Sequence, residues 1–204
     1  MTLRRTVVCL MVGASLGRAA EPMKPFPPAA GREAATLEPG DPVLAIAAEP
    51  LAEPAFRSFG QIVTIPETAP PTQENAVMRY WGGLAKTRIH EEIEFGLMTL
   101  RNREHEVAEM DRHTKSPEFL VSLSGDFYLA VAPISKAGST RPTAASVKIF
   151  LIRQGQGVLL RQGVWHALPF PVKDEVQCLV AVRDGTFKGD VKSAAFKKQE
   201  VVKF

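Results

Sequence analysis

From about Val43 onward the chain is a succession of short apolar or alternating runs broken by turn residues. Residues 61–65, 90–101, 106–113, 118–123, 127–132, 147–152, 157–160 and 176–182 have the length and β-branched or aromatic content of strands. Residues 51–59 predict one short helix. Gly, Pro, Asp and Ser mark turns between these runs, at 124–126, 137–142, 154–157, 161–163 and 169–173. Many short strands at close spacing, without intervening helical patterns, predict an all-β domain over 43–204. Periodicity alone leaves barrel and sandwich both open.

The first forty residues lack this pattern. Residues 1–20 carry Arg4 and Arg5, then an apolar stretch over 6–16, then small residues around Gly17 and Ala19. That order matches a signal peptide and is too short to span a bilayer. The expectation is export to a periplasmic or extracellular space; a start placed too early, with a cytoplasmic protein, is the alternative. Residues 21–42 are rich in Pro, Ala and Gly and predict a flexible, disordered linker.

Composition narrows the function classes. Hydrophobic residues make up 45% and charged residues 23%, as in ordinary globular proteins, and the net charge is only +3. The basic residues are scattered, apart from Lys197-Lys198, so a nucleic-acid partner is not expected. Two cysteines, Cys9 and Cys178, cannot build a disulfide framework or a Cys-based zinc site. Cys178 lies in an apolar run and predicts a core position.

Two stretches carry candidate chemistry. The first reads Asp111-Arg112-His113, four residues, Glu118, six residues, Gly125; the second reads Gly155, five residues, Arg161-Gln162-Gly163, two residues, His166. In a strand, Glu109, Asp111 and His113 share one face, and Met110 and Arg112 the other. Two imidazoles with one or two carboxylates could hold Mn, Fe, Ni or Zn. Without a metal, the same groups can act as general acid and base near neutral pH. His90 and His105 sit in Glu-rich surroundings and predict solvated side chains, whereas Trp165 and Tyr80 predict packing.

These stretches resemble the two cupin signatures in spacing. Asp111 stands in place of the first histidine, Arg161 in place of the proline and Phe170 in place of the asparagine. The resemblance implies a cupin-type β-barrel, a double-stranded β-helix. A closer resemblance is to the ureidoglycolate lyases. Residues 48–62 (AEPLAEPAFRSFGQI), 75–84 with Arg79-Tyr80, 109–125 (EMDRHTKSPEFLVSLSG), 127–133 (FYLAVAP) and 148–169 (KIFLIRQGQGVLLRQGVWHALP) carry it. It implies cleavage of ureidoglycolate, or a close analogue, to glyoxylate and urea in purine catabolism. His113 and His166 would be the acid/base pair, and Arg101 or Arg79, with Glu109, would bind the substrate. A homodimer is implied as well. Where the lyases carry Gln, this chain has Glu118, which restores the cupin metal-ligand letter. Two alternatives therefore stay open. One is a metal-dependent cupin acting on another small hydroxy or sugar acid, with His113, Glu118, His166 and Asp111 as ligands. The other is a non-catalytic small-ligand-binding cupin.

Overall fold

The computed structural model describes residues 42–135, 140–196 and 200–204. The expected signal peptide and nearly all of the expected linker lie outside them. In chain order the elements are β1 (Val43–Ala45), β2 (Glu49–Pro50), α1 (Glu53–Phe56), β3 (Gly60–Val63), β4 (Gln73–Glu74), β5 (Arg79–Tyr80), β6 (Ile93–Arg101), β7 (Glu106–Val107) and β8 (Glu109–His113). They continue with β9 (Glu118–Ser124), β10 (Phe127–Ala132), β11 (Lys148–Ile152), β12 (Gly157–Leu160), β13 (Trp165–His166) and β14 (Phe170–Pro171). The last are β15 (Glu175–Arg183), α2 (Thr186–Gly189), β16 (Val191–Ala195) and β17 (Val201–Lys203).

Two large sheets face each other. One has the order β3-β12-β9-β15-β6; the other runs β16-β8-β13-β10-β11-β2, with β14 also paired to β10. Alternation along the strands divides their side chains. Phe127, Leu129, Val131 and Phe150 from one sheet meet Leu120, Val158, Leu160, Val176, Cys178 and Val180 from the other, forming the barrel interior. Ala130, Ala132, Ile149, Met110 and Trp165 point to the opposite side of their sheet, where Val107, Val202 and Phe196 cover them. The long β15 holds β6 on one side and β9 on the other, a nine-residue register on the β6 side. This is the cupin-type, all-β barrel that the sequence implies, with a short helix before its first long strand.

Cys178 is fully buried in that interior, and burial pushes its thiol up to about 12. His105 departs from expectation. It is half-buried, stacked on Phe204 with ring centroids 5.2 Å apart, and close to Tyr128 and Phe170. Tyr80 departs the other way: it is 50% exposed on the β4–β5 hairpin.

Gly60 shows how tightly β3 seats against β12. A methyl group at this position would sit 2.2 Å from the carbonyl oxygen of Leu159, a backbone atom that cannot step aside. Gly60→Ala is therefore expected to lower stability by about 2 kcal/mol, as overpacking does. An unchanged urea midpoint would contradict the close approach.

Candidate active site

Three side chains meet between the two large sheets, His113 and Glu118 from successive strands and His166 from much later in the chain. His113 ends β8, and Glu118 opens β9 after a four-residue turn containing Pro117. His166 belongs to the two-residue strand β13, which lies between β8 and β10, with His166 opposite both Asp111 and Val131. The Gly163 turn brings it there. Gly163 has φ +84°, a left-handed conformation that favours glycine, and its amide donates to the carbonyl of His113 at 2.7 Å. The side-chain amide of Gln162 donates to the next carbonyl, that of Thr114. The two motifs are thus stitched together by hydrogen bonds through their own turns.

Glu118 Oε2 lies 3.1 Å from His113 Nε2 and 3.0 Å from His166 Nε2. The side chains are 5%, 8% and 12% exposed for His113, Glu118 and His166, so this contact is almost dry. The imidazole centroids are 5.1 Å apart. The other ring nitrogens decide the protonation. His113 Nδ1 faces the carbonyl of Asp190 at 3.1 Å, and His166 Nδ1 faces the carbonyl of Val164 at 3.2 Å. A carbonyl only accepts, so each Nδ1 carries a hydrogen. Each neutral ring therefore turns a lone pair at Nε2 toward a carboxylate oxygen. With both rings neutral, no donor reaches Glu118 Oε2 despite that proximity. Three acceptors converging in a buried spot need a cation among them, either a proton or a metal ion.

The electrostatics agree. Burial alone would raise the Glu118 carboxyl. The charge on His166, then the contacts to both imidazoles, outweigh it and hold the carboxyl far below the usual carboxylate range. Burial works against a charged His166, but Glu118, the Val164 carbonyl and Asp111 together raise it above the ordinary histidine value.

The structure brings together three of the four residues expected as metal ligands. The donor atoms of His113, Glu118 and His166 all lie within 4.8 Å of one another. Asp111 shares the His113 face, but Ser193 on β16 donates a hydrogen bond to its carboxylate. Glu109 lies two residues further along that face, exposed and opposite Ala195.

The two expected arginine clamps are not brought to this cluster. Arg79 is exposed on the β4–β5 hairpin, 2.5 Å from Glu74. Arg101 is 88% exposed and 3.9 Å from Glu175. Ala181 pairs with both Phe119 and Phe95, so the level of Glu118 on β6 is that of Glu94. Arg101 lies seven residues further along the strand, roughly 23 Å at strand rise.

Sequence reasoning missed Asp190, whose carbonyl meets His113, and Phe187, whose ring stands edge-on to His113 at 6.0 Å. Both follow Gly185 in a short polar stretch that reads as a loop, and no sequence signal marks them.

An inward-facing pair of imidazoles with a carboxylate, held inside a double-sheet barrel, defines a cupin-type site. Comparison with known proteins then gives the family. The ureidoglycolate lyase profile matches residues 43–203, essentially the whole described barrel, and the chain belongs to that family, enzymes of the lyase type. The ureidoglycolate lyase of Agrobacterium fabrum is 31% identical over 149 residues, covering 67% of this chain and 82% of its own length. That of Chelativorans sp. is 24% identical over 145 residues, 69% of this chain and 86% of its own. Among solved structures, RmlC from Streptococcus suis aligns with TM-score 0.36 and 13% identity over 46% of this chain and 44% of its own. No helix among the described residues is long and apolar enough to cross a membrane.

Proposed function

We propose that this enzyme cleaves ureidoglycolate, or a close analogue, to glyoxylate and urea, with His113 and His166 moving the protons. The convergence of both Nε2 atoms on Glu118 within 3.1 Å, in a nearly dry site, carries this reading. The reaction breaks one carbon–nitrogen bond. The hydroxyl proton must leave as the carbonyl of glyoxylate forms, and the nitrogen of the departing urea must gain a proton. His166, the imidazole held in its charged form by Glu118, is the donor. His113, with Nδ1 committed to the Asp190 carbonyl, offers its Nε2 lone pair as the acceptor. Incubation of the purified full chain with ureidoglycolate should release urea and glyoxylate in equal amounts. No release above the blank would end this proposal.

A second reading keeps the same residues and adds a divalent ion. His113 Nε2, a Glu118 oxygen and His166 Nε2 would hold it, and the donor set fits: two neutral imidazoles with Nδ1 already hydrogen-bonded, and an unsatisfied buried carboxylate oxygen. Bound there, an ion would supply Lewis-acid polarisation of a substrate oxygen. This reading admits other small hydroxy or sugar acids as substrates. The pairing of two copies that the family resemblance implies would most simply use β6, an edge strand whose Phe95 and Leu97 are 68% and 76% exposed.

A further inference from the structure

We propose that Asp190 is a positioning residue for the reaction, fixing the ring orientation and tautomer of His113. The inference rests on the reading of His113 as a working side chain of this site.

Asp190 follows α2 directly, and its amide donates to the carbonyl of Thr186 at 2.8 Å. It is fully buried and does two things at once. Its backbone carbonyl accepts from His113 Nδ1 at 3.1 Å. Its carboxylate accepts three hydrogen bonds from the two residues that follow His113. These come from the Thr114 amide at 3.0 Å, the Thr114 hydroxyl at 2.7 Å and the Lys115 amide at 2.7 Å. The result is a closed cycle, from the His113 ring to the Asp190 carbonyl, through the Asp190 side chain to Thr114, and back to His113.

Any residue would supply a carbonyl. What Asp190 adds is its place, because the side chain ties that carbonyl to the backbone beside His113. An imidazole anchored only by its Cα–Cβ bond can turn its ring, which puts carbons where Nδ1 met the carbonyl and where Nε2 faced Glu118. Here the ring has one arrangement that satisfies the carbonyl, and that arrangement leaves Nε2 as the lone pair. A carboxylate is needed for the tie. Oδ1 accepts from both Thr114 donors and Oδ2 from Lys115, so an amide at this position must set an NH₂ group against a backbone N–H.

Asp190→Asn tests the proposal in the full chain. The expected result is a kcat lowered by about 10- to 100-fold with KM within about twofold, as for loss of a residue that orients another. In wild-type protein, long-range proton–nitrogen NMR spectra of the neutral His113 ring should show hydrogen on Nδ1. In Asp190→Asn that signal should split or shift toward the other tautomer, while the His166 ring keeps its pattern. Should Asp190→Asn fail to fold, Thr114→Val removes only the hydroxyl tie. It should lower kcat in the same direction, by about fivefold for one hydrogen bond. A folded Asp190→Asn with wild-type kcat, or a wild-type neutral His113 protonated on Nε2, overturns the proposal. Full turnover in His113→Ala would overturn the functional reading beneath it, a separable outcome.

Discussion

His166→Ala is expected to lower kcat for ureidoglycolate cleavage by about 10²- to 10⁴-fold, the span that a positioned proton donor contributes. His166 is the most exposed of the three converging side chains, at 12%, and so the one best placed to meet a substrate. Its raised pKa keeps it charged where a free histidine would be losing its proton, which suits it to protonating a departing nitrogen. His113→Ala should cost a comparable factor. The double variant should cost little more than either single one, because two groups that serve one proton inventory act as a unit. Stability separates this outcome from simple unfolding. His166 lies beside Asp111 and Val131 on a two-residue strand, whereas its neighbour Trp165 is the large side chain that packs behind the sheet. The alanine variant should therefore keep a cooperative melt, and kcat should fall without loss of the near-ultraviolet circular dichroism of Trp165. Turnover at the wild-type rate in a folded His166→Ala would remove the acid/base role assigned to it.

The long strands were legible because each carries its pattern locally. β9 reads EFLVSLS and β10 reads FYLAVA, and their alternation settles which side chains face the interior. β15, nine residues long like β6, outruns its apolar pattern at both ends, since Glu175 and Arg183 look like flanking loop residues until the register with β6 is seen. Strands of two or three residues, such as β2, β13 and β14, escape any periodicity argument, because two residues have no period. β16 reads VKSAA, a polar and weakly β-forming segment that is a strand only because β8 offers it an edge. The convergence of His113, Glu118 and His166 was readable from glycine-punctuated spacing. That spacing encodes turns, and turns determine where strands return. The second layer was not readable. Asp190 reaches His113 across 77 residues of sequence through a backbone carbonyl, a group every residue possesses. Arg101 shows the limit of residue type alone, because only the register of β6 on β15 shows that it lies seven residues along the strand from the level of Glu118.

Glu118→Gln should have the largest effect on stability, and its pH dependence distinguishes a shared proton from a bound metal. Removing one partner from a buried charged pair costs about 3 kcal/mol or more. The sign follows from the two shifts. Glu118 is depressed below its ordinary value of 4.5, so its contribution is present above that pH and is lost as pH falls through the folded value. His166 is raised above 6.5, so its contribution is fully present below 6.5 and is lost as pH rises through the folded value. With a proton between the groups, the deficit of Glu118→Gln relative to wild type should be largest from about pH 4.5 to 6.5 and shrink at higher pH. The alkaline limb of kcat/KM should also move to lower pH in the variant, since burial then acts on His166 without the opposing carboxylate. With a divalent ion between the groups, protons compete with it instead. The deficit should then grow above pH 6.5 and vanish once wild type is treated with a chelator, with metal analysis showing about one ion per chain before treatment. Urea unfolding of both proteins from pH 4 to 9, with and without chelator, reads these outcomes. A deficit that is flat across the whole range and indifferent to chelation would mean that Glu118 carries no charge that matters, and the cation-centred account of this site would fall with it.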